Sequence, residues 1–117
     1  MSFHYNHATL VGRITQDPAL RTFSNSVSKT TFTIAVDRNY RKEDGSSETD
    51  FIPVCFWGKI AEVSHAILRK GMPILVWGRI QVRKYEKESQ KKRFTEIVGE
   101  SFQILEKKCR YLYCLHV

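Results

Sequence analysis

The sequence predicts a small, mostly β-structured domain that contains one short helix. Apolar and polar residues alternate along several segments, and only one segment has the 3.6-residue period of a helix. Residues that favour turns separate these segments. With 117 residues the chain is long enough for one domain of ordinary size and too short for two, so one core is expected.

The first two predicted strands cover residues 7–14 and 29–39. The first is rich in residues that favour strands and runs into the turn sequence Gln16-Asp17-Pro18. In the second, side chains alternate without a helical period, so one face is predicted to point into the core. That face comprises Phe32, Ile34 and Val36.

The third predicted strand covers residues 49–57, and the polar segment 41–48 before it is predicted to be a hairpin loop. Successive side chains of a strand point to opposite sides, so this strand offers two unlike faces. The core face is predicted to comprise Ile52, Val54 and Phe56. The larger rings of Phe51 and Trp57 then face outward.

A short amphipathic helix is predicted after Gly58. Ile60, Val63 and Ile67 fall at positions i, i+3 and i+7, which places them on one side of a helix. The sequence Arg69-Lys70-Gly71 is predicted to end it, because cations favour the last turn and glycine favours the cap.

Two further strands are predicted, over residues 73–85 and 94–105, with a turn over residues 86–93 between them. One face of the fourth strand mixes rings with cations. The other is predicted to be core and comprises Ile74, Val76, Gly78, Ile80 and Val82. The remaining residues, 107–117, show no clear period and are interpreted as a short basic tail.

The predicted order is therefore β-β-β-α-β-β, with the helix between strands three and four. This is the order of a five-stranded Greek-key β-barrel, the OB-fold, formed by residues 1–106. Gly12, Gly58 and Gly78 lie in or beside strands, where a small closed barrel needs bends and bulges.

The charge of the chain favours a phosphate-bearing partner. Nineteen Lys and Arg against twelve Asp and Glu give a net charge of +7, which is typical of proteins that bind nucleic acid or acidic membranes and also of a merely solvated surface. Six cations and two carboxylates lie between Arg83 and Arg93, on the connection where OB-folds receive oligonucleotides. Position therefore favours nucleic acid over a solvated hairpin.

Aromatic rings stand beside many of these cations. Such pairs suit single-stranded nucleic acid, because every base has a π-face on which a ring can stack and every nucleotide brings a phosphate. Taken singly, each ring could equally pack in the barrel. The candidate binding residues are Tyr40, Arg41, Phe51, Trp57, Lys59, Lys70, Trp77, Arg79, Arg83, Lys84 and Tyr85.

No motif indicates catalysis, so the chain is predicted not to be an enzyme and to need no cofactor. The four histidines are scattered, and no Gly-rich phosphate loop or nucleophile elbow is present. The acidic residues show no spacing typical of a two-metal nuclease. They are Asp37, Asp44, Asp50 and Glu62.

The three cysteines indicate neither a disulfide framework nor a zinc site. Their number is odd and no CxxC spacing occurs, while Cys109, Cys114 and His116 lack a fourth ligand. We find no signal peptide and no apolar run of the roughly 20 residues that a membrane span needs. A cytoplasmic location is therefore expected.

From about Asn6 to Leu105 the chain resembles the bacterial single-stranded DNA-binding protein family. Any single matching stretch is weak, but their order and spacing together are highly specific. The stretches are LVGR (10–13), QDP (16–18), LR (20–21), FIPV (51–54), FWGKIAEV (56–63), LRKG (68–71), VWGRI (76–80) and RKY (83–85).

The resemblance implies an OB-fold homotetramer that wraps single-stranded DNA with little sequence preference and serves replication, recombination and repair at the nucleoid. The stacking rings of the family match Tyr40, Phe51, Trp57 and Tyr85. Relatives often have Trp at three of these positions and Phe at the position of Trp57. The basic contacts of the family match Arg41, Lys59, Lys70, Arg83 and Lys84.

The C-terminal end departs from the family pattern. Relatives usually continue into a flexible linker with an acidic tip that recruits replication and repair enzymes, whereas this sequence ends in a basic tail. We therefore expect the chain to coat DNA without recruiting those enzymes. Lys107, Lys108 and Arg110 would instead add affinity for DNA.

Two alternatives stay open at this point. The first is a dimeric, primosomal-type OB-fold accessory protein that binds single-stranded DNA or RNA. The second is a nuclease or another enzyme that acts on nucleic acid, for which the basic surface is the only indication.

Overall fold

The computed structural model describes residues 3–105, so the predicted tail lies outside the described residues. Within this range the chain forms six strands and one helix. In chain order the elements are β1 (Ala8–Ile14), β2 (Ala19–Thr22), β3 (Ser28–Asp37), β4 (Thr49–Trp57), α1 (Lys59–Ile67), β5 (Pro73–Lys87) and β6 (Gln90–Ile104).

The strands form one sheet that closes on itself. The order across the sheet is β1-β5-β6-β4-β3, and β1 also pairs with β3, which completes a ring of five strands. All pairings are antiparallel except the one between β4 and β6. The short strand β2 pairs with the first four residues of β3, from Ser28 to Thr31. This ring, with the helix between β4 and β5, confirms the predicted OB-fold.

The core lies inside the ring of strands, and the predicted core faces of β3 and β4 point into it. Phe32, Val54 and Phe56 are buried, and the ring of Phe56 lies 5.4 Å from that of Phe102 on β6, centroid to centroid. Helix α1 packs on β3 and β4, with its predicted apolar side against the core. The Thr30 hydroxyl donates to the Ala61 carbonyl over 2.6 Å, which ties the helix to β3.

Glycines allow the strong bend of β5 and β6. The register shifts between Trp77 and Gly78, and Gly78 faces Gly99 across the two strands. A Cβ on Gly78 would lie 2.1 Å from the Val98 carbonyl oxygen, and one on Gly99 would lie 2.3 Å from the Phe56 ring. Larger residues would therefore separate the strands or displace the core, which agrees with the bulge predicted near Gly78.

Two predictions about chain turns were wrong. The predicted turn over residues 86–93 is only two residues long: Glu88 and Ser89 adopt positive φ angles of 53° and 64°, as a tight hairpin turn requires. Gly71 does not cap the helix, which ends at Leu68 in an extended conformation. Instead, Gly71 turns the chain towards β5 at a φ of 90° and donates its N–H to the Ile14 carbonyl.

The predicted core face of β5 is buried only as far as Gly78. Beyond the bulge the strand leaves the barrel as one arm of a long hairpin, so Ile80 and Val82 are 44% and 50% exposed although the alternation continues. Strand β2 is a further element that the sequence analysis lacked. All four of its residues are exposed, so they carry no alternation that would indicate a strand.

Candidate nucleic-acid interface

The outer surface of β3 and β4 carries the predicted rings of the third strand. Phe51 and Trp57 are 66% and 42% exposed, as their alternation with buried neighbours predicts. They stand six residues apart on one side of β4, which is about 20 Å along a strand. We call this surface the β3–β4 face. It comprises Lys29, Thr31, Thr33 and Ala35 of β3 and Phe51, Pro53, Cys55 and Trp57 of β4.

The hairpin of β5 and β6 forms one wall of the β3–β4 face. Arg83, Phe94 and Glu96 line an open hollow of about 280 Å³ together with residues of β3 and β4. The Arg83 guanidinium lies over the Phe94 ring at 5.1 Å, and its Nε donates to a Glu96 carboxylate oxygen at 2.6 Å. A cation is thus held at the edge of the face by a ring and a buried carboxylate.

At one end of the face, Phe51 stands in a second open hollow of about 650 Å³. Val11 and Pro73 contribute apolar walls, and Arg13 contributes a cation whose Nη1 donates to the Gly71 carbonyl at 2.9 Å. An exposed ring beside apolar surface and a cation is a suitable place for an unpaired base.

At the other end, Trp57 belongs to a stack of rings and cations. Its ring lies 5.6 Å from that of Phe23, centroid to centroid, at an interplanar angle of 23°. The Arg21 guanidinium lies 4.8 Å from the Phe23 centroid, and the Lys29 ammonium lies 5.0 Å from the Trp57 centroid. Two stacked rings from the β2 end and β4 therefore each carry one cation, in the order Arg21, Phe23, Trp57, Lys29.

The far part of the hairpin is strongly basic. Tyr85 is 46% exposed and lines a hollow of about 580 Å³ with residues from both arms. Its neighbours there are Lys84, Glu86, Lys91, Lys92 and Arg93. The structure thus brings the predicted Lys84 and Tyr85 together with three further cations, as binding of a strand of phosphates requires.

The loop between β3 and β4 holds Tyr40, which is 57% exposed, in a network of ion pairs. Arg38 binds the carboxylates of Glu48 and Asp50 and also donates to the Tyr40 hydroxyl at 3.3 Å, while the Lys42 ammonium lies 2.6 Å from Glu48. The hydrogen bond from Arg38, with its positive charge, lowers the pKa of Asp50 below its usual range. These contacts hold both ends of the loop together. The Nη1 of the predicted Arg41 donates to the Gly45 carbonyl of this loop at 3.2 Å.

The remaining predicted residues lie outside these hollows. Lys59 is the first residue of α1, the Lys70 N–H donates to the Asp17 carboxylate at 2.8 Å, and the Arg79 side chain donates to that of Gln81 at 2.9 Å.

Trp77 is half-buried and faces Thr9 on β1 and Ser101 on β6. The structure therefore does not bring Trp77 together with the rings of the β3–β4 face.

The predicted binding residues did not include Arg21, Phe23, Lys29 and Phe94, nor Arg13 in the hollow of Phe51. The first two belong to or follow the unpredicted strand β2, so nothing placed them near Trp57. Lys29 faces Trp57 directly across β3 and β4, and Phe94 faces Arg83 across the hairpin. The pairing register of the strands would have indicated both.

Cys55 is a buried thiol whose surroundings disfavour its ionised form. It lies on the outward side of β4 but is buried, and its thiol contacts the side chain of Glu96 on the neighbouring strand β6. Burial, with the nearby carboxylate of Glu96, raises the pKa of the thiol to about 11. Such a thiol is protonated at neutral pH and is a poor nucleophile.

No cluster of three His, Cys, Asp or Glu side chains that could hold a metal ion occurs in residues 3–105. Cys109, Cys114 and His116 lie outside the described residues. In the same part of the chain, no helix has the length and apolar character needed to cross a membrane.

A closed five-stranded barrel with exposed rings and a basic hairpin has the features of OB-fold proteins that bind nucleic-acid strands. Comparison with known families gives the same assignment. The chain belongs to the Single-strand binding protein family, whose pattern matches residues 5–105.

Individual relatives agree with this family. The chain is 45% identical over 104 residues to Single-stranded DNA-binding protein 1 of Streptococcus pyogenes, which is 88% of this chain and 80% of that protein. It is 42% identical over 105 residues to Single-stranded DNA-binding protein 1 of Clostridium acetobutylicum, covering 88% and 96% of the two chains. The solved complex of Plasmodium falciparum SSB with ssDNA is 26% identical, with a TM-score of 0.82, over 91% of this chain and 99% of that one.

Proposed function

We propose that this protein binds single-stranded DNA with little sequence preference and protects it during replication, recombination and repair. The observation that carries the proposal is the presence of two exposed rings, Phe51 and Trp57, on one β-surface with cations beside them. Rings of this kind stack on unpaired bases of any identity, and the cations neutralise phosphates. The relatives named as single-stranded DNA-binding proteins support the same function.

Within this function, each predicted residue receives a role. Stacking is assigned to Tyr40, Phe51, Trp57 and Tyr85, and phosphate binding to Arg41, Lys59, Lys70, Arg79, Arg83 and Lys84. Lys84 and Tyr85 have the strongest support, because they share a hollow with three other cations. Trp77 stays a prediction whose surroundings on β1 and β6 favour packing.

We further propose that the protein acts as a homotetramer. Ile80 and Val82 leave apolar surface exposed on β5, which contact with other copies of the chain would bury. The alternative is the dimeric, primosomal-type accessory protein. Light scattering at micromolar concentration separates the two, since a stable dimer would favour the alternative.

The proposed role includes no chemistry on DNA. A labelled single-stranded oligonucleotide incubated with the protein and Mg²⁺ or Mn²⁺ should stay intact. Protein-dependent cleavage, absent from a parallel sample with a mock purification, would instead identify a nuclease. By the same proposal the protein acts in the cytoplasm at the nucleoid.

Titration of the intrinsic tryptophan fluorescence with poly-thymidine tests the proposed function. We expect strong quenching that saturates, because stacking on a base quenches the indole of Trp57. A Trp57→Phe variant should still bind, as measured by the anisotropy of a labelled thymidine oligonucleotide, but should lose most of the quenching. A duplex of equal length should bind far more weakly, since its bases are hidden. Equal affinity for duplex and single strand would contradict the proposal.

A further inference from the structure

Phe23 belongs to the stack at the Trp57 end of the β3–β4 face but is not among the residues proposed above to stack on bases. Phe23 lies against Trp57 at 5.6 Å and 23°, in the offset geometry that aromatic pairs prefer. It therefore covers part of one side of the indole. Trp57 nevertheless keeps 42% of its surface exposed, which leaves room for a base.

An exposed indole that has no neighbour can rotate about its side-chain bonds, and a base that stacks on it must first stop this motion. Ordering such a side chain opposes binding, and a contact that orders it in the free protein removes this cost. Phe23 makes a contact of this kind. Phe23 directly follows β2, and its backbone is held by hydrogen bonds with Val27 and Ser26 in the turn that leads to β3.

The cations of the stack are available to phosphates. Arg21 and Lys29 face each other across β2 and β3, and Lys29 faces Trp57 across β3 and β4. Each lies over a ring, and neither forms a salt bridge within residues 3–105. By contrast, Arg38 is already paired with the carboxylates of Glu48 and Asp50.

We propose that Phe23 is a positioning residue for base stacking on Trp57, and that Arg21 and Lys29 bind the phosphates next to the stacked base. The inference rests on the proposed function and extends the DNA path from β4 across β3 to β2. It assigns a role in binding to the short strand β2, which contributes little to the core because all of its residues are exposed.

The test of Phe23 uses a labelled thymidine oligonucleotide and three single variants. Phe23→Ala should weaken binding about fivefold to tenfold, which is the low end of the loss expected for a stacking ring. Phe23→Tyr, which restores the ring, should bind as the unchanged protein does. Phe3→Ala, which removes an exposed ring from the N-terminal segment, is the matched control and should have no effect.

A double variant distinguishes positioning from a separate contact. If Phe23 acts through Trp57, then Phe23→Ala should cause no further loss in a Trp57→Ala background. An equal loss in both backgrounds would overturn the positioning role. So would a Phe23→Ala protein that melts at a lower temperature but binds DNA with full affinity. If the unchanged protein does not bind the oligonucleotide at all, it is the proposed function that fails.

The salt dependence of binding tests the proposed phosphate contacts of Arg21 and Lys29. Arg21→Gln and Lys29→Gln should each make the slope of log affinity against log salt shallower by about 0.7, as expected for the loss of one phosphate contact on a single strand. Arg69→Gln removes the same charge from a side chain that donates to the carbonyls of Leu68 and His65, and should leave the slope unchanged. Equal slopes for all three variants would overturn the phosphate contacts.

Discussion

Arg83 and Glu96 form an ion pair whose two members differ sharply in their exposure. The carboxylate accepts from Arg83 Nε at 2.6 Å, and the side chain of Glu96 is 5% exposed whereas that of Arg83 is 50% exposed. The pair faces the hollow of the β3–β4 face, so it combines a structural requirement with a position in the proposed DNA path. Removing Arg83 therefore has a different consequence from removing Glu96.

Replacing Arg83 by Ala should lower the free energy of unfolding by about 1–2 kcal/mol, because it leaves the buried carboxylate of Glu96 without a cation. The exposure of Arg83 keeps this loss below that of a fully buried pair. Adding Glu96→Gln should restore most of the stability. Urea unfolding of the two variants checks this, and a double variant less stable than Arg83→Ala would contradict it.

Replacing Glu48 by Gln should tighten the binding of single-stranded DNA. Glu48 engages both Arg38 and Lys42, so its removal frees positive charge beside Tyr40. We expect an increase in affinity of about threefold at low salt, and a steeper salt dependence, because more phosphates can be neutralised. Glu43→Gln removes an acidic charge from the same loop without breaking a described ion pair and serves as the control. Equal changes in both variants would indicate a general effect of net charge.

The buried thiol of Cys55 should make the protein less stable in alkali. Its pKa is raised to about 11 in the folded protein, above the ordinary 9.0, so between these values the unfolded chain releases a proton that the folded chain keeps. This contribution to stability is present in full below pH 9 and is lost as the pH rises towards 11, with a slope of at most about 1.4 kcal/mol per pH unit. Urea unfolding from pH 8 to 10.5 should show a steeper decline than in Cys55→Ala. Parallel declines would contradict the assignment.

Phe51 and Phe56, which lie on opposite sides of β4, should respond differently to truncation. Phe56→Ala removes a fully buried ring and should cost about 3–5 kcal/mol of unfolding free energy. Phe51→Ala removes an exposed ring and should change stability by less than about 0.5 kcal/mol while weakening DNA binding. Thermal unfolding and oligonucleotide binding of both variants check the pair. A large loss of stability in Phe51→Ala would place that ring in the core.

The faces of β3 and β4 could be predicted from the sequence because both strands are half-buried, and alternation is the direct consequence of burying one side. The same rule failed where the burial of side chains does not follow their alternation. Ile80 and Val82 continue the pattern of β5 outside the barrel, and Cys55 is buried beside Glu96 although it points outward. The tight turn at Glu88 and Ser89 has none of the Gly or Asn residues that usually mark it.

The candidate site was predictable where a ring and a cation are neighbours in sequence, as at Lys84 and Tyr85. The stack of Arg21, Phe23, Trp57 and Lys29 was not, because its members come from three segments. Only the pairing of β2, β3 and β4 brings them together.

Base stacking is tested most directly by the salt dependence of oligonucleotide binding after replacement of two adjacent residues, Lys84 and Tyr85. They line one hollow, yet one supplies a charge and the other a ring. Lys84→Ala should make the slope of log affinity against log salt shallower by about 0.7. Tyr85→Ala should cost about 1–3 kcal/mol of binding free energy with the slope nearly unchanged and the stability of the barrel intact. If Tyr85→Ala instead unfolds the domain while the folded fraction binds with full affinity, or if both variants change the slope equally, stacking at this site is contradicted.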